Sequence, residues 1–272
     1  MAFDLNSITT GCGTRAPRVL LTGVEKIGKS TCAAGADRPI FLPIAGEEGI
    51  DDLKVPQFPT CNTFAQVMEG VKTVWENSEH FGTLAIDSVS TLEPLIWANT
   101  CIRCPMKDGS TPPGIEQVGG GYAKGYIEAL DDWRMLTASL DSLRTHKNIA
   151  SILIGHVRVK RFDDPTGLSY DQYQLDLHDK AANMLYRWAD LILFCNTKVA
   201  VTQADAGFGK KKNTGVDISG GQRYMYTHRR PAHPGGGRGV YGRLPYELPL
   251  SWQSLMDAVA AQLAKEGGAQ QA

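Results

Sequence analysis

The stretch that most restricts how this chain can fold is PRVLLTGVEKIGKST, residues 17–31. An apolar run at 17–22 leads straight into Gly23, and Gly23, Gly28, Lys29 and Ser30 stand at the spacing GxxxxGK[ST]. Strand, glycine loop and helix in that order aim successive backbone N–H groups at one spot, which makes an anion cradle suited to nucleotide phosphates. Val24, Glu25, Lys26 and Ile27 complete the loop. Lys29 is expected at the β and γ phosphates, the Ser30 hydroxyl on Mg²⁺, and Thr31 toward the α phosphate.

The rest of the chain repeats the strand and helix alternation. PIFLPIAG (39–46), TLAIDSVS (83–90), IASILIGH (149–156) and ADLILFCN (189–196) read as buried strands. Between them, Phe64, Val67, Met68, Val71, Val74 and Trp75 recur at helical spacing behind Asn62 as cap, and Ile127 to Leu143 form a longer amphipathic helix. Such alternation predicts an α/β fold with a mainly parallel central sheet and helices on both faces. Residues 105–121 are rich in Pro and Gly and read as loop. After residue 196, KVAVT (198–202) and QRYMYTH (222–228) read as strands flanking a loop, a C-terminal antiparallel β extension on the sheet edge. The organisation expected is an N-terminal segment at 1–16 involved in assembly, a core at 17–250 with a hairpin extension at about 197–245, and a C-terminal helix with a frayed tail at 251–272.

Composition narrows the partners. Lys plus Arg total 28 against 29 Asp plus Glu, a net charge of −1, so any polyanion site must be local. No apolar run approaches the roughly 18 residues needed to span a bilayer, and MAFDLNSITT lacks a basic and apolar leader. The chain therefore reads as cytoplasmic, with six scattered cysteines expected as reduced thiols. Cys101 and Cys104 form a single CxxC, two ligands where structural zinc wants four, and are expected as thiols on a helix.

Phosphate chemistry needs more than a cradle. Asp87, at the end of TLAID, is placed to hold the Mg²⁺ shell together with Ser30. Glu47, with Glu48 beside it, ends strand two, expected next to the loop strand, and is the candidate to activate water. His156, at the tip of the fourth strand, is placed to meet the γ phosphate. Behind it, VRVKRFDDPTGLSYDQYQLDLHDK (157–180) sets Arg158, Lys160 and Arg161 beside Phe162, Tyr170 and Tyr173, a mixture suited to a single-stranded backbone and stacked bases. A second basic zone at 207–245 holds Lys210, Lys211, Lys212, Arg223, Arg229, Arg230, Arg238 and Arg243 against Asp217 alone. It suits nucleic-acid contact, or an arginine reaching a neighbouring subunit's nucleotide.

Taken together, GVEKIGKST, GEEGIDDL, TLAIDSVS, GGGYAKGY, the long segment from ILIGH to ILFCN and GRLPYELPLSW resemble phage-encoded RecA-like P-loop ATPases, the AAA-type ATP-binding proteins, across most of residues 17–255. Some members act as single-strand annealing proteins in recombination. The resemblance implies a RecA-type core, ATP with Mg²⁺, single-stranded DNA as partner, self-assembly into a ring or filament, and the cytoplasm of a bacterial host; a single-strand-binding protein is a further candidate partner. On that likeness Glu47 matches the acid after strand two, His156 stands at a γ-phosphate sensor position, and the stretch after it corresponds to a mobile DNA-binding loop. Tyr122 and Lys124 would lie near a second DNA-facing loop. GGGRGVYGRLP departs from the family's closing basic run, leaving Arg238 and Arg243 as the candidates to act in trans. Two other readings of the same loop are a kinase of a small acceptor and a nucleotide-binding partner protein that does not hydrolyse.

Overall fold

The computed structural model describes residues 15–47, 49–165, 167–205 and 211–269, with no side-chain description at 201–215 or 267–269. Residues 1–14 of the expected assembly segment, Glu48, Lys210, the side chains of Lys211 and Lys212, and the last three residues lie outside it. In chain order the elements are β1 (Arg18–Gly23), α1 (Lys29–Ala34), β2 (Pro39–Pro43), α2 (Phe64–Glu76), β3 (Thr83–Asp87), α3 (Val89–Arg103), α4 (Lys124–Lys147) and β4 (Ala150–Phe162). They continue with β5 (Tyr170–Leu175), α5 (Asp179–Trp188), β6 (Leu191–Asn196), β7 (Val199–Asp205), β8 (Lys211–Asp217), β9 (Tyr224–Tyr226), β10 (Gly236–Gly237), β11 (Glu247–Pro249) and α6 (Trp252–Ala269).

The five apolar runs pair in parallel in the order β6-β1-β4-β3-β2, as helical crossovers require. Both faces of this sheet are covered, which explains why its strands read as nearly continuous apolar runs. Leu20, Leu84, Ile86 and Leu153 pack under α2 to α5, while Val19, Leu21, Ile152, Ile154 and Leu193 pack under α1 and α6. Alternate residues of one strand thus serve two cores. Beyond β6 the sheet turns antiparallel through β9 and β11, the mixed α/β architecture expected from the sequence.

Four local expectations change. Strand two does not lie beside the loop strand: β2 pairs with β3 at the sheet edge, and β4 and β3 separate it from β1. Thr63, not Asn62, caps α2: its hydroxyl accepts from Gln66 N–H while the Gln66 side chain accepts from Thr63 N–H, and Asn62 contributes only its own N–H to the same Gln66 oxygen. The residues read as a loop after 202 include β8, which pairs with β7 in a two-stranded hairpin apart from the main sheet. The C-terminal helix continues through Gly267 and Gly268 to Ala269.

The largest change concerns residues 157–175. The stretch expected as a mobile loop is the outer half of β4, 13 residues long, paired antiparallel with β5 from Val157↔Leu175 to Phe162↔Tyr170. Its β-rich residues satisfy their backbone groups in a ladder rather than in water. One strand therefore begins in the sheet core and ends in a projecting hairpin.

Candidate functional site

At the C-terminal edge of β1 the chain turns through residues 24–28 into α1. Gly23 has no substitute, since a β-carbon there would sit 2.4 Å from the Cys195 carbonyl oxygen of the neighbouring strand. Gly28, with φ +100°, occupies a backbone region that side chains rarely adopt. Lys29 is 6% exposed, and its Nζ donates to the carbonyls of Gly23 (3.1 Å) and Val24 (3.0 Å), so the ammonium is drawn back over the loop. Burial lowers its pKa, against the pull of Cys195, Asp87, Glu47 and Glu25.

Ser30 Oγ donates to Asp87 Oδ2 at 2.5 Å, across the strand β4 that lies between β1 and β3. Asp87 is 4% exposed, and burial raises its pKa despite the serine bond and the Lys29 charge. A hydroxyl and a carboxylate set together are the hard oxygen donors that Mg²⁺ prefers, and that ion takes its remaining ligands from phosphates and water. The donor set fits. Among the described residues no group of three or more His, Cys, Asp or Glu could hold a metal ion. Ser88 caps α3, accepting from Thr91 N–H, which leaves the Asp87 carboxylate to the cleft.

Although β2 is an edge strand, a turn after it carries Glu47 back across the strand ends. Its Oε1 accepts from Ser88 Oγ at 2.6 Å and lies 2.8 Å from His156 Nε2. Burial opposes ionisation of Glu47, but these two hydrogen bonds and the charges of His156 and Lys29 outweigh it and hold the carboxyl below its ordinary range. The backbone N–H of His156 donates to Ser90 Oγ at 3.1 Å. The His156 ring is turned to Glu47 within the cleft. Lys29, Ser30, Glu47, Asp87 and His156 line one cleft of about 430 Å³ with Glu25, Lys26, Gly28 and Thr31.

One cation of the basic zone belongs to this cleft. Arg223 lines it too, with Nη1 donating to the Ile27 carbonyl at 3.1 Å. Only the pairing of β9 with β6 brings it there, so eight cations in the segment 207–245 gave no local signal for this one. The basic zone is dispersed rather than one patch. Arg230 lies 3.8 Å above the Tyr246 ring, Arg243 pairs with Glu266 at 3.0 Å, and Arg238 pairs with Asp190 at 3.9 Å and donates to the Arg187 carbonyl. Arg238 N–H donates to the Asp190 carbonyl, just before β6 begins, which puts it at the sheet edge opposite the glycine loop.

The hairpin also rearranges the expected nucleic-acid residues. Alternation along β4 puts Arg158, Lys160 and Phe162 on one face and Arg161 on the other, so the three cations do not form a single patch. Arg158 pairs with Asp176 (3.4 Å) and Asp179 (3.6 Å), Lys160 with Asp179 (2.5 Å), and Arg161 with Asp163 (3.5 Å). Tyr122 is 95% exposed in a left-handed turn just before Lys124 opens α4. Two residues on, Tyr126 stacks on His178 at 4.2 Å between ring centres, and both join Trp97, Glu93, Arg158 and Lys160 around a cavity of about 380 Å³. A groove of about 610 Å³ adjoins Lys160, Arg161, Phe162, Tyr173 and Arg229. Cys101 lies in α3, and Cys104 caps its C-terminus.

A family model described as an AAA domain matches residues 15–239. None of the curated proteins compared with the chain matches it. Among the described residues no helix is long and apolar enough to cross a membrane.

Proposed function

The chain belongs to the AAA-domain family, which implies nucleotide binding and ATPase activity, and from that premise we propose that it is a Mg²⁺-dependent ATPase stimulated by single-stranded DNA and used in strand annealing. The observation that carries this reading is the continuity of β4. It bears His156 against Glu47 in the cleft, and six residues further on it bears Phe162 at the end of the basic hairpin arm.

In this reading the loop N–H groups and Lys29 hold the phosphates, and Ser30 and Asp87 keep the metal's side of the site. The ion, when bound, neutralises charge on the transferred phosphoryl group. Glu47, kept ionised by its neighbours, orients and deprotonates the attacking water. His156 acts on the reaction through Glu47. β4 links the two sites directly, and in this reading DNA on the hairpin biases the hold of His156 on Glu47 through that strand.

DNA is assigned to the hairpin and the adjoining Tyr122–Tyr126 turn because aromatics and cations line the two cavities there. Assembly into a ring or filament, with Arg238 or Arg243 serving a neighbour's nucleotide, belongs to the same proposal, as do a phage origin and a host single-strand-binding protein as partner. The test is the ATPase rate with and without single-stranded DNA, alongside the mass of the assembly. Lys29→Ala is expected to abolish turnover, and the joint change of Arg158, Lys160 and Arg161 to Ala to remove stimulation while sparing the basal rate. Turnover indifferent to DNA in both the wild type and the triple variant would sink the DNA assignment.

A further inference from the structure

Among the arginines of the described residues, Arg223 is the one that lines the cleft, and it has no carboxylate within 4.0 Å, a lack it shares with Arg187, Arg229 and Arg230 but not with Arg158, Arg238 or Arg243. A guanidinium carries five N–H donors, and the Ile27 carbonyl takes one. The group lies so close to the loop that a β-carbon on Gly28 would come within 2.5 Å of Nη1.

Its backbone is anchored. Leu250 N–H donates to the Arg223 carbonyl at 2.9 Å, and the next residue, Tyr224, pairs with Asn196 on one side and Pro249 on the other. Because β9 runs antiparallel to β6, the start of β9 lies at the same sheet edge as the glycine loop of β1. Topology thus delivers this cation to the subunit's own cleft, while Arg238 is carried to the opposite edge.

Resting on the nucleotide reading of that cleft, we infer that Arg223 binds the phosphate chain of the nucleotide held by its own subunit, from the Gly28 side of the loop. A planar fork with free donors and no competing carboxylate is matched to two phosphate oxygens, and a charge-assisted pair of this kind outweighs a neutral hydrogen bond. The ligand class is a nucleoside di- or triphosphate. The contact is made in cis, so it needs no neighbour.

The experiment measures binding of fluorescent ATP and ADP to the full-length wild type, Lys29→Ala, Arg223→Ala and Arg223→Lys, with melting temperatures taken without nucleotide. The expected result is that Arg223→Ala weakens both nucleotides about tenfold to a hundredfold, as loss of a charge-assisted phosphate contact does, and Arg223→Lys by less, with melting temperatures near wild type. Mixing Arg223→Ala with Lys29→Ala is expected to leave binding weak. Affinity within twofold of wild type in both Arg223 variants overturns the inference, and so does a mixture that regains tight binding, since that places the arginine in trans. A wild-type chain that binds neither nucleotide overturns the ATPase reading itself, a result distinct from a wild type that binds and variants that bind equally well.

Discussion

His156 and Glu47, 109 positions apart in sequence, meet through Nε2 and Oε1 at 2.8 Å, midway along β4 and beyond the end of β3. The same carboxylate oxygen also accepts from Ser88, so the side chain is held from two elements at once. Glu47→Gln is expected to lower ATP turnover by at least about a hundredfold, the usual worth of a positioned base, while nucleotide affinity changes little. His156→Ala leaves the base in place and is expected to erase the difference between rates with and without DNA. Steady-state ATPase assays with parallel binding titrations read both.

Asp179 holds Lys160 at 2.5 Å and Arg158 at 3.6 Å, and these bonds occupy cations assigned to DNA. Asp179→Asn frees Lys160, leaves Arg158 with Asp176 as its one remaining carboxylate, and removes a like charge from the phosphate's surroundings. Affinity for single-stranded DNA is expected to rise several-fold at low salt, with a steeper fall as salt increases. Fluorescence anisotropy across a salt series measures it; unchanged affinity and slope would contradict the assignment of this face.

Glu93, buried in α3, accepts the His178 N–H with both carboxylate oxygens, at 3.0 and 2.9 Å. Burial pushes its pKa up to about 7, against the pull of the His178 N–H and of Arg158 and with the push of Asp176. Between its ordinary value and about 7 the folded chain keeps a proton that the unfolded chain has released, so stability is lost as pH rises through that window. Glu93→Gln keeps an acceptor for His178 and has no such loss. Relative to wild type it is expected to gain up to about 3 kcal/mol between pH 5 and pH 8, read from urea unfolding at each pH.

Asp190, just before β6, binds Arg18 Nη2 at 2.8 Å and Arg144 Nη2 at 3.0 Å and also accepts the Arg18 backbone N–H. Burial works against its ionisation, but the Arg18 and Arg144 contacts hold its pKa below the ordinary value. Its contribution is therefore complete above the unfolded carboxylate pKa and is lost as pH falls through the depressed one. Asp190→Asn is expected to cost about 2–4 kcal/mol at neutral pH, because the largely buried Arg144 loses its counter-charge and Arg18 keeps only Asp141, and the cost shrinks toward pH 3. Thermal and urea unfolding at the two pH values provide the check.

Much of this site was legible along the chain because its parts are local. Lys29 and Ser30 follow their glycines within one loop, and Asp87 closes a run whose apolar neighbours announce a buried strand. Glu47 was legible for a reason that did not hold: its strand lies at the sheet edge, and a turn brings the carboxylate back. The hairpin at 157–175 is not legible as strands from polarity, because its residues are polar and polarity signals solvent. Strand pairing satisfies the backbone of polar residues just as well, and the alternation of VRVKRF against YDQYQL is its sign in the sequence.

By itself the sequence determined the glycine loop, the parallel α/β core and the chemical types gathered in the cleft. Those follow from φ preferences, apolar periodicity and side-chain chemistry, each a property of a few adjacent residues. Tertiary structure alone decided which partner each group meets: His156 turned to Glu47, Asp179 occupying Lys160 and Arg158, and Arg223 returned to Ile27 from 196 positions away. Strand order and direction set those meetings, and neither is written in any single stretch of the chain.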